Sequence, residues 1–251
     1  MPYADNAGVR IHYQIDGTGA PLVLQHGFTR RLQRWAEYGY VAALRTKYRL
    51  ILIDARGHGD SDKPHDEASY AMERRVGDVT AVLDAVGVET AHYWGYSMGG
   101  AIGFGMAKHA PHRVDALVIG ASHPFAHDAE VQRQLVRAGI SGGGDAFVAA
   151  YEKIAGPASD GDAAALRAGD YRAWLAASLD RDSMEDKLGS MAMRCCLYAG
   201  DADPACVRAK LASQRIPNAR FFSLPGLSHT QAFVESRSVL PPVMEFLGAA
   251  E

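Results

Sequence analysis

The 251-residue chain has few cysteines, namely Cys195, Cys196 and Cys206. The first two are adjacent, and neighbours on a strand point to opposite faces, so they form neither a disulfide framework nor a metal site. The sequence contains no Cys-x-x-Cys pair, no His-Glu-x-x-His and no Gly-Lys-Ser/Thr phosphate loop. Neither a metal nor a cofactor is therefore called for. No apolar run approaches the roughly 20 residues of a membrane span. The opening Met1-Pro2-Tyr3-Ala4-Asp5 carries neither the basic region nor the apolar stretch of a secretory leader, so a reducing cytoplasm is the expected compartment. A net charge of −3 leaves no basic footprint for nucleic acid. Repeats and low-complexity tracts are missing too, and the most flexible candidate is Ser141-Gly142-Gly143-Gly144-Asp145. What is present is the balance of an ordinary globular protein, 48% hydrophobic and 22% charged, of a length that suits one large domain or two small ones.

Short apolar runs bounded by turn residues recur at 22–25, 50–54, 92–96, 114–120 and 195–200, with a weaker one at 220–224. Each reads as a strand buried on both faces, as parallel strands are. Residues 9–15 alternate instead, like an antiparallel edge strand. Between the runs lie helical spacings. Val76, Val79, Val82, Leu83 and Val86 make an amphipathic stripe that Gly87 ends, and residues 32–44 and 97–108 also read as helices. This alternation predicts βαβ units around a mostly parallel sheet. The rhythm breaks after Gly120. Residues 131–138, 145–155 and 163–179 read as helices with no strand among them. The expectation is a helical cap over residues 122–190 inserted in a core of 1–121 and 191–251, lying over the sheet edge where open α/β sheets place ligands. The pair Pro241-Pro242 predicts a bend in or before a final helix at 243–247.

The strongest local signal is Gly95-Tyr96-Ser97-Met98-Gly99-Gly100, a Gly-x-Ser-x-Gly pattern between an apolar strand and a small-residue helix. A serine held at so sharp a turn needs glycine on both sides, because side chains there would strike neighbouring elements. A serine hydroxyl is too weak an acid to attack unaided; it needs a base, and the base an orienting carboxylate. His229 is the only histidine after residue 127 and lies in a turn-rich loop, Leu224-Pro225-Gly226-Leu227-Ser228-His229. For the acid, Gly200-Asp201-Ala202-Asp203-Pro204 follows a strand. Asp203 has the longer reach, whereas Asp201 suits bonding backbone amides within the turn. An oxyanion needs N–H donors. The amide of Met98 and that of Phe28, in Gln25-His26-Gly27-Phe28-Thr29, are the candidates, with His26 shaping that loop.

With His26-Gly27-Phe28, Asp54-Ala55-Arg56-Gly57-His58-Gly59-Asp60-Ser61, the serine pentapeptide, Gly200-Asp201-Ala202-Asp203 and Gly226-Leu227-Ser228-His229 standing in this order, the chain resembles the α/β-hydrolase superfamily. The resemblance implies an eight-stranded, mostly parallel sheet with a helical cap after the sixth strand. It places the acid on Asp203 and makes the Asp54–Ser61 loop structural, tied by Asp54 and Arg56. It also implies a Ser97-His229-Asp203 serine hydrolase acting on a small ester or lactone, since relatives that open epoxides or remove halide carry aspartate where Ser97 stands. A carbon–carbon hydrolase, a cofactor-free perhydrolase and a ligand-sensing receptor remain open on the same residues, as does the oligomeric state. Phe28, Trp35, Trp94, Phe125, Phe147, Tyr151 and Trp174 are the aromatics to watch around a pocket; each reads equally as core.

Overall fold

The computed structural model describes residues 2–248. Eight strands form one sheet: β1 (Tyr3–Asn6), β2 (Val9–Asp16), β3 (Ala20–Gln25), β4 (Tyr48–Ile53), β5 (Ala91–Tyr96), β6 (Val114–Gly120), β7 (Arg194–Gly200) and β8 (Ala219–Leu224). Their order is β1-β2-β4-β3-β5-β6-β7-β8. Pairings β1·β2 and β2·β4 are antiparallel, and the remainder are parallel. The strand period of two divides the core into halves. Val23, Ile51, Ile53, Tyr93, Leu117, Ile119, Cys195 and Leu197 face one side, and Leu22, Leu24, Leu50, Leu52, Trp94, Val118, Cys196 and Tyr198 face the other. Adjacent Cys195 and Cys196 accordingly lie on opposite faces, and both are free thiols.

Helices cover both halves. On the first side lie α3 (Met72–Ala85), α4 (Met98–His109) and α8 (Ala205–Ser213). The second side is closed by α1 (Gln33–Glu37), α2 (Tyr40–Leu44), α9 (His229–Val234) and α10 (Ser236–Gly248). The valine stripe of α3 is buried as its spacing predicts, with Val76, Val79, Val82 and Leu83 in the first half. Between β6 and β7 stand α5 (Glu130–Ala155), α6 (Asp160–Arg167) and α7 (Tyr171–Ala177), which share a small core of their own around Val136, Phe147, Leu166 and Trp174. No helix among the described residues is long and apolar enough to cross a membrane.

Several sequence expectations need correction. Residues 9–15 are not an edge strand, because β1 pairs outside β2 from Tyr3↔His12 to Asn6↔Val9; four residues with half-exposed side chains give little apolar signal. The helix expected over 32–44 is two short ones, broken where Gly39 takes a left-handed φ of 86°. Residues 141–145 do interrupt the helix, as the sequence suggests: within α5 two helical stretches meet at a kink where Gly143 is non-helical (φ 75°, ψ −170°). The stretch 163–179 divides into α6 and α7, and Asp170 caps the second by accepting from the Ala173 amide. Finally, α10 already begins at Ser236 and runs through Pro241 and Pro242. The carbonyls those prolines leave without helical donors belong to Arg237 and Ser238, both exposed residues, and Val239, Val243, Phe246 and Leu247 bury the opposite face.

Candidate active site

Ser97 stands between β5 and α4 with φ 54° and ψ −111°, a backbone conformation that costs about 1–3 kcal/mol for a non-glycine residue and persists only where its surroundings impose it. The surroundings are backbone. A Cβ at Gly95 would lie 2.2 Å from the carbonyl oxygen of Gly99, and a Cβ at Gly99 would lie 2.2 Å from that of Gln25. The flanking glycines are thus required by close approach, as expected. The Ser97 amide donates to the Gly120 carbonyl at 2.8 Å, which ties the turn to the end of β6.

Residues 97, 203 and 229 converge at this edge. His229 Nδ1 lies 2.7 Å from Asp203 Oδ2, and His229 Nε2 lies 2.9 Å from Ser97 Oγ. A carboxylate only accepts, so Nδ1 carries the proton and Nε2 presents its lone pair to the serine hydroxyl. Asp203 is almost fully buried (side chain 2% exposed), whereas the His229 side chain is 44% exposed. The other Asp203 oxygen accepts from the Ala205 amide at 2.8 Å, so the carboxylate is held from both sides. Asp201 takes a different post: it accepts from the Gly226 amide at 2.7 Å. It thus fastens the histidine loop to the acid loop rather than bonding amides of its own turn. A serine, a neutral imidazole and an orienting carboxylate in one hydrogen-bonded line can pass a proton from hydroxyl to ring.

The loop after β3 passes directly beside Ser97. A Cβ at Gly27 would come within 3.3 Å of Ser97 Cβ. His26 shapes this loop, as expected. Its Nδ1 donates to the Gly27 carbonyl at 2.8 Å and its Nε2 accepts from the Ala55 amide at 3.1 Å. Burial pushes this imidazole below its ordinary pKa, so it stays neutral. The next residue is Phe28. Met98 opens α4, where the first turn's N–H groups have no partner within the helix. The amides of Phe28 and Met98 therefore belong to segments that flank the serine.

The Asp54–Ser61 loop is structural. Asp54 accepts from the amides of Leu32 (2.8 Å) and Asp60 (3.0 Å) and pairs with His12 at 2.7 Å. Arg56 is buried on Asp78, with Nε to Oδ2 at 2.6 Å. His12, Asp54 and Asp60 are the one group of metal-capable side chains gathered among the described residues. Both Asp54 oxygens are already engaged, so the donor set fits a hydrogen-bonding hub. Of the aromatics, Trp35, Trp94 and Phe147 are fully buried core. Phe28 meets Trp174 of α7 with ring centres 6.1 Å apart. Arg30, two residues after Phe28, bonds Asp162 of α6 and Tyr151 of α5. No motif or spacing marks the Arg30 contacts, which join residues more than a hundred positions apart. Nor does any mark the contact between Tyr96 Oη and the His229 carbonyl at 2.6 Å, since the second position of the pentapeptide is unrestricted.

Comparison with known proteins agrees with this architecture. The solved enol-lactonase of Burkholderia xenovorans LB400 superposes with a TM-score of 0.86 at 23% identity, covering 98% of this chain and 99% of that one. The esterase RhEst1 from Rhodococcus sp. ECU1013 gives 0.82 at 26% identity, with 98% of each chain covered. Among curated sequences, epoxide hydrolase B of Mycobacterium tuberculosis is 37% identical over 123 residues, 47% of this chain and 34% of that protein. Three further curated relatives are matched over 43%, 56% and 21% of their own length. The family described as alpha/beta hydrolase fold matches residues 20–190, from β3 through the helices that follow β6. With well over half of its length in that match, the chain belongs to the alpha/beta hydrolase fold family.

Proposed function

We propose that the protein is a serine hydrolase that cleaves small carboxylic esters or lactones through a covalent acyl-enzyme. The observation that carries this reading is the unbroken line Asp203–His229–Ser97, with spacings of 2.7 and 2.9 Å, at the carboxyl edge of a parallel sheet. Ser97 Oγ attacks the substrate carbonyl while His229 Nε2 takes its proton. The negative charge that develops on the carbonyl oxygen is received by the Phe28 and Met98 amides. As the tetrahedral intermediate collapses, His229 returns the proton to the leaving alkoxide and the acyl group stays on Ser97. Water, losing its proton to His229, then attacks the acyl-enzyme, and as this second intermediate collapses His229 passes that proton to the departing Ser97 Oγ and the acid is released. Asp203 keeps the imidazole in the tautomer the first step needs and stabilises the cation. In the family that the sequence resembles, epoxide-opening members carry an aspartate where Ser97 stands, which argues against epoxide opening here. The similarity to an esterase at 26% identity supports the ester class.

On the same reading residues 122–190 form a cap over the site, with Trp174 against Phe28 and Asp162 and Tyr151 on Arg30 among its contacts with the core. Hydrolysis of a p-nitrophenyl ester and of a lactone panel tests the proposal. Turnover is expected to fall about 10³-fold or more in Ser97→Ala. Retained activity in that variant would remove the acyl-enzyme.

A further inference from the structure

The general base of this site is carried on a very short helix. His229 is the first residue of α9, which has six residues. A helix so short has no stability of its own, so its position is dictated by what it touches. Its start is well defined: Ser228 caps it, accepting from the Gln231 amide, and Gln231 bonds back to the Ser228 amide. That box fixes the helix upon itself. It does not fix the helix relative to the nucleophile.

Tyr96 makes that link. It precedes Ser97 in the chain, and its hydroxyl donates to the His229 carbonyl at 2.6 Å. Its ring stacks on Phe233, with centres 4.5 Å apart and planes at 20°. Positions 229 and 233 are one helical turn apart and lie on one face of α9. A single side chain thus grips both ends of that face. The ring also packs closely over Gly120, where an added methyl would stand 2.5 Å from Tyr96 Cδ2. Burial pushes the phenol well above its ordinary range, which keeps it a neutral donor wherever the enzyme works. Tyr40 Oη adds a second tie to the same helix, donating to the Phe233 carbonyl at 2.9 Å, but it arrives from α2 and leaves the elbow untouched.

We propose that Tyr96 is a positioning residue for the proposed hydrolysis: its hydroxyl, bonded to the His229 carbonyl, holds the imidazole in register with Ser97 while the proton moves. The inference rests on the serine-hydrolase reading above. Its chemistry is geometric. The imidazole must stay within hydrogen-bond reach of Ser97 Oγ, then of the leaving oxygen, then of water. A displacement of about 1 Å at such a centre costs on the order of 10²-fold in rate. The Tyr96 hydroxyl touches none of the reacting atoms.

The test is Tyr96→Phe, which deletes one oxygen and keeps the stacked ring. Active sites are counted with a fluorophosphonate so that rates refer to competent enzyme. The expected result is a kcat lower by about tenfold with KM within about twofold. Melting temperature and label stoichiometry should hold, and the Nδ1 proton resonance of His229 should broaden in ¹H NMR spectra. Phe233→Leu keeps the hydroxyl bond while removing the stack on Tyr96 together with the ring contacts to Trp35, Tyr38 and Tyr40; counted per labelled site, it should lose less kcat than Tyr96→Phe. An unchanged kcat in Tyr96→Phe overturns the proposal, and so does a larger loss in Phe233→Leu. A fall in kcat that merely tracks lost stoichiometry also overturns it, because the role would then be ordinary support of the fold. Ser97→Ala and His229→Ala run beside these variants. If either retains turnover, it is the hydrolase reading that fails; if both are dead while Tyr96→Phe is fully active, only the positioning role fails.

Discussion

Two histidine–aspartate pairs in this molecule have the same spacing. His229 and Asp203 stand 2.7 Å apart at the carboxyl edge of the sheet, and His12 and Asp54 stand 2.7 Å apart between β2 and the loop after β4. In both the aspartate is buried and accepts from backbone amides, but the histidines sit in different surroundings. The second nitrogen of His229 faces a serine hydroxyl, and its ring is open to solvent. The second nitrogen of His12 has no partner, and both members of that pair are fully buried. Asp54 meanwhile gathers two backbone amides from separate loops. A short imidazole–carboxylate contact is therefore not in itself a mark of catalysis. What the far nitrogen meets, and whether a substrate can reach it, decides between a proton relay and a bracket.

Mutations at the two pairs should separate these roles sharply. The largest effect is expected at the edge. Ser97→Ala, His229→Ala and the double variant should each lose about 10³-fold or more in kcat, with the double close to the worse single, because the groups act as a unit. Additive losses, measured on a p-nitrophenyl ester, would mean that they do not. Asp203→Asn should cost less than loss of either the nucleophile or the base, since it upsets the tautomer while leaving both in place. Asp54→Ala should reverse the pattern. It strands the buried Leu32 amide, the Asp60 amide and His12, so denaturant unfolding should show a loss of about 3–5 kcal/mol, while turnover per labelled site changes little. A catalytic collapse at constant stability in Asp54→Ala would erase the distinction.

The smallest effect is a slope in pH. Burial lowers the pKa of His26, His58, His92, His123 and His127, and it takes His123 to about 4. These rings stay neutral in the native state but gain protons in the unfolded chain below about pH 6.5. The unfolded state then binds more protons, so the stability is present above that pH and drains as pH falls, with the His123 share continuing down to about 4. Tm followed from pH 7.5 to 5 should decline. A flat profile would show that these buried rings are equally content as cations.

The sequence made the edge legible and the fastenings illegible, for a physical reason. The elbow, the Gly-x-x-Asp turn and the late histidine announce themselves because each is a local backbone demand. The glycines at 95 and 99 answer to carbonyl oxygens about 2 Å from any added carbon, and such demands leave few residue choices. Most strands were legible for a similar reason, since a strand covered on both faces has to be apolar throughout. β1 was not, because a four-residue outer strand buries little. The helix across Pro241 and Pro242 ran against local preference, and tertiary burial of Val239, Val243 and Phe246 prevailed. Contacts such as Arg30 with Asp162, or Tyr96 with His229, join positions whose nearness exists only after folding. Nothing in the spacing of either residue foretells its partner.

The turn that presents Ser97 is confined by main-chain atoms packed against residues 95 and 99, with the Tyr93 hydroxyl donating to the Gly99 carbonyl at 2.8 Å, and none of these contacts uses the serine side chain. The position is therefore a socket. The two corners are the reverse case: any side chain at 95 or 99 would meet carbonyl oxygens 2.2 Å away and displace the turn itself.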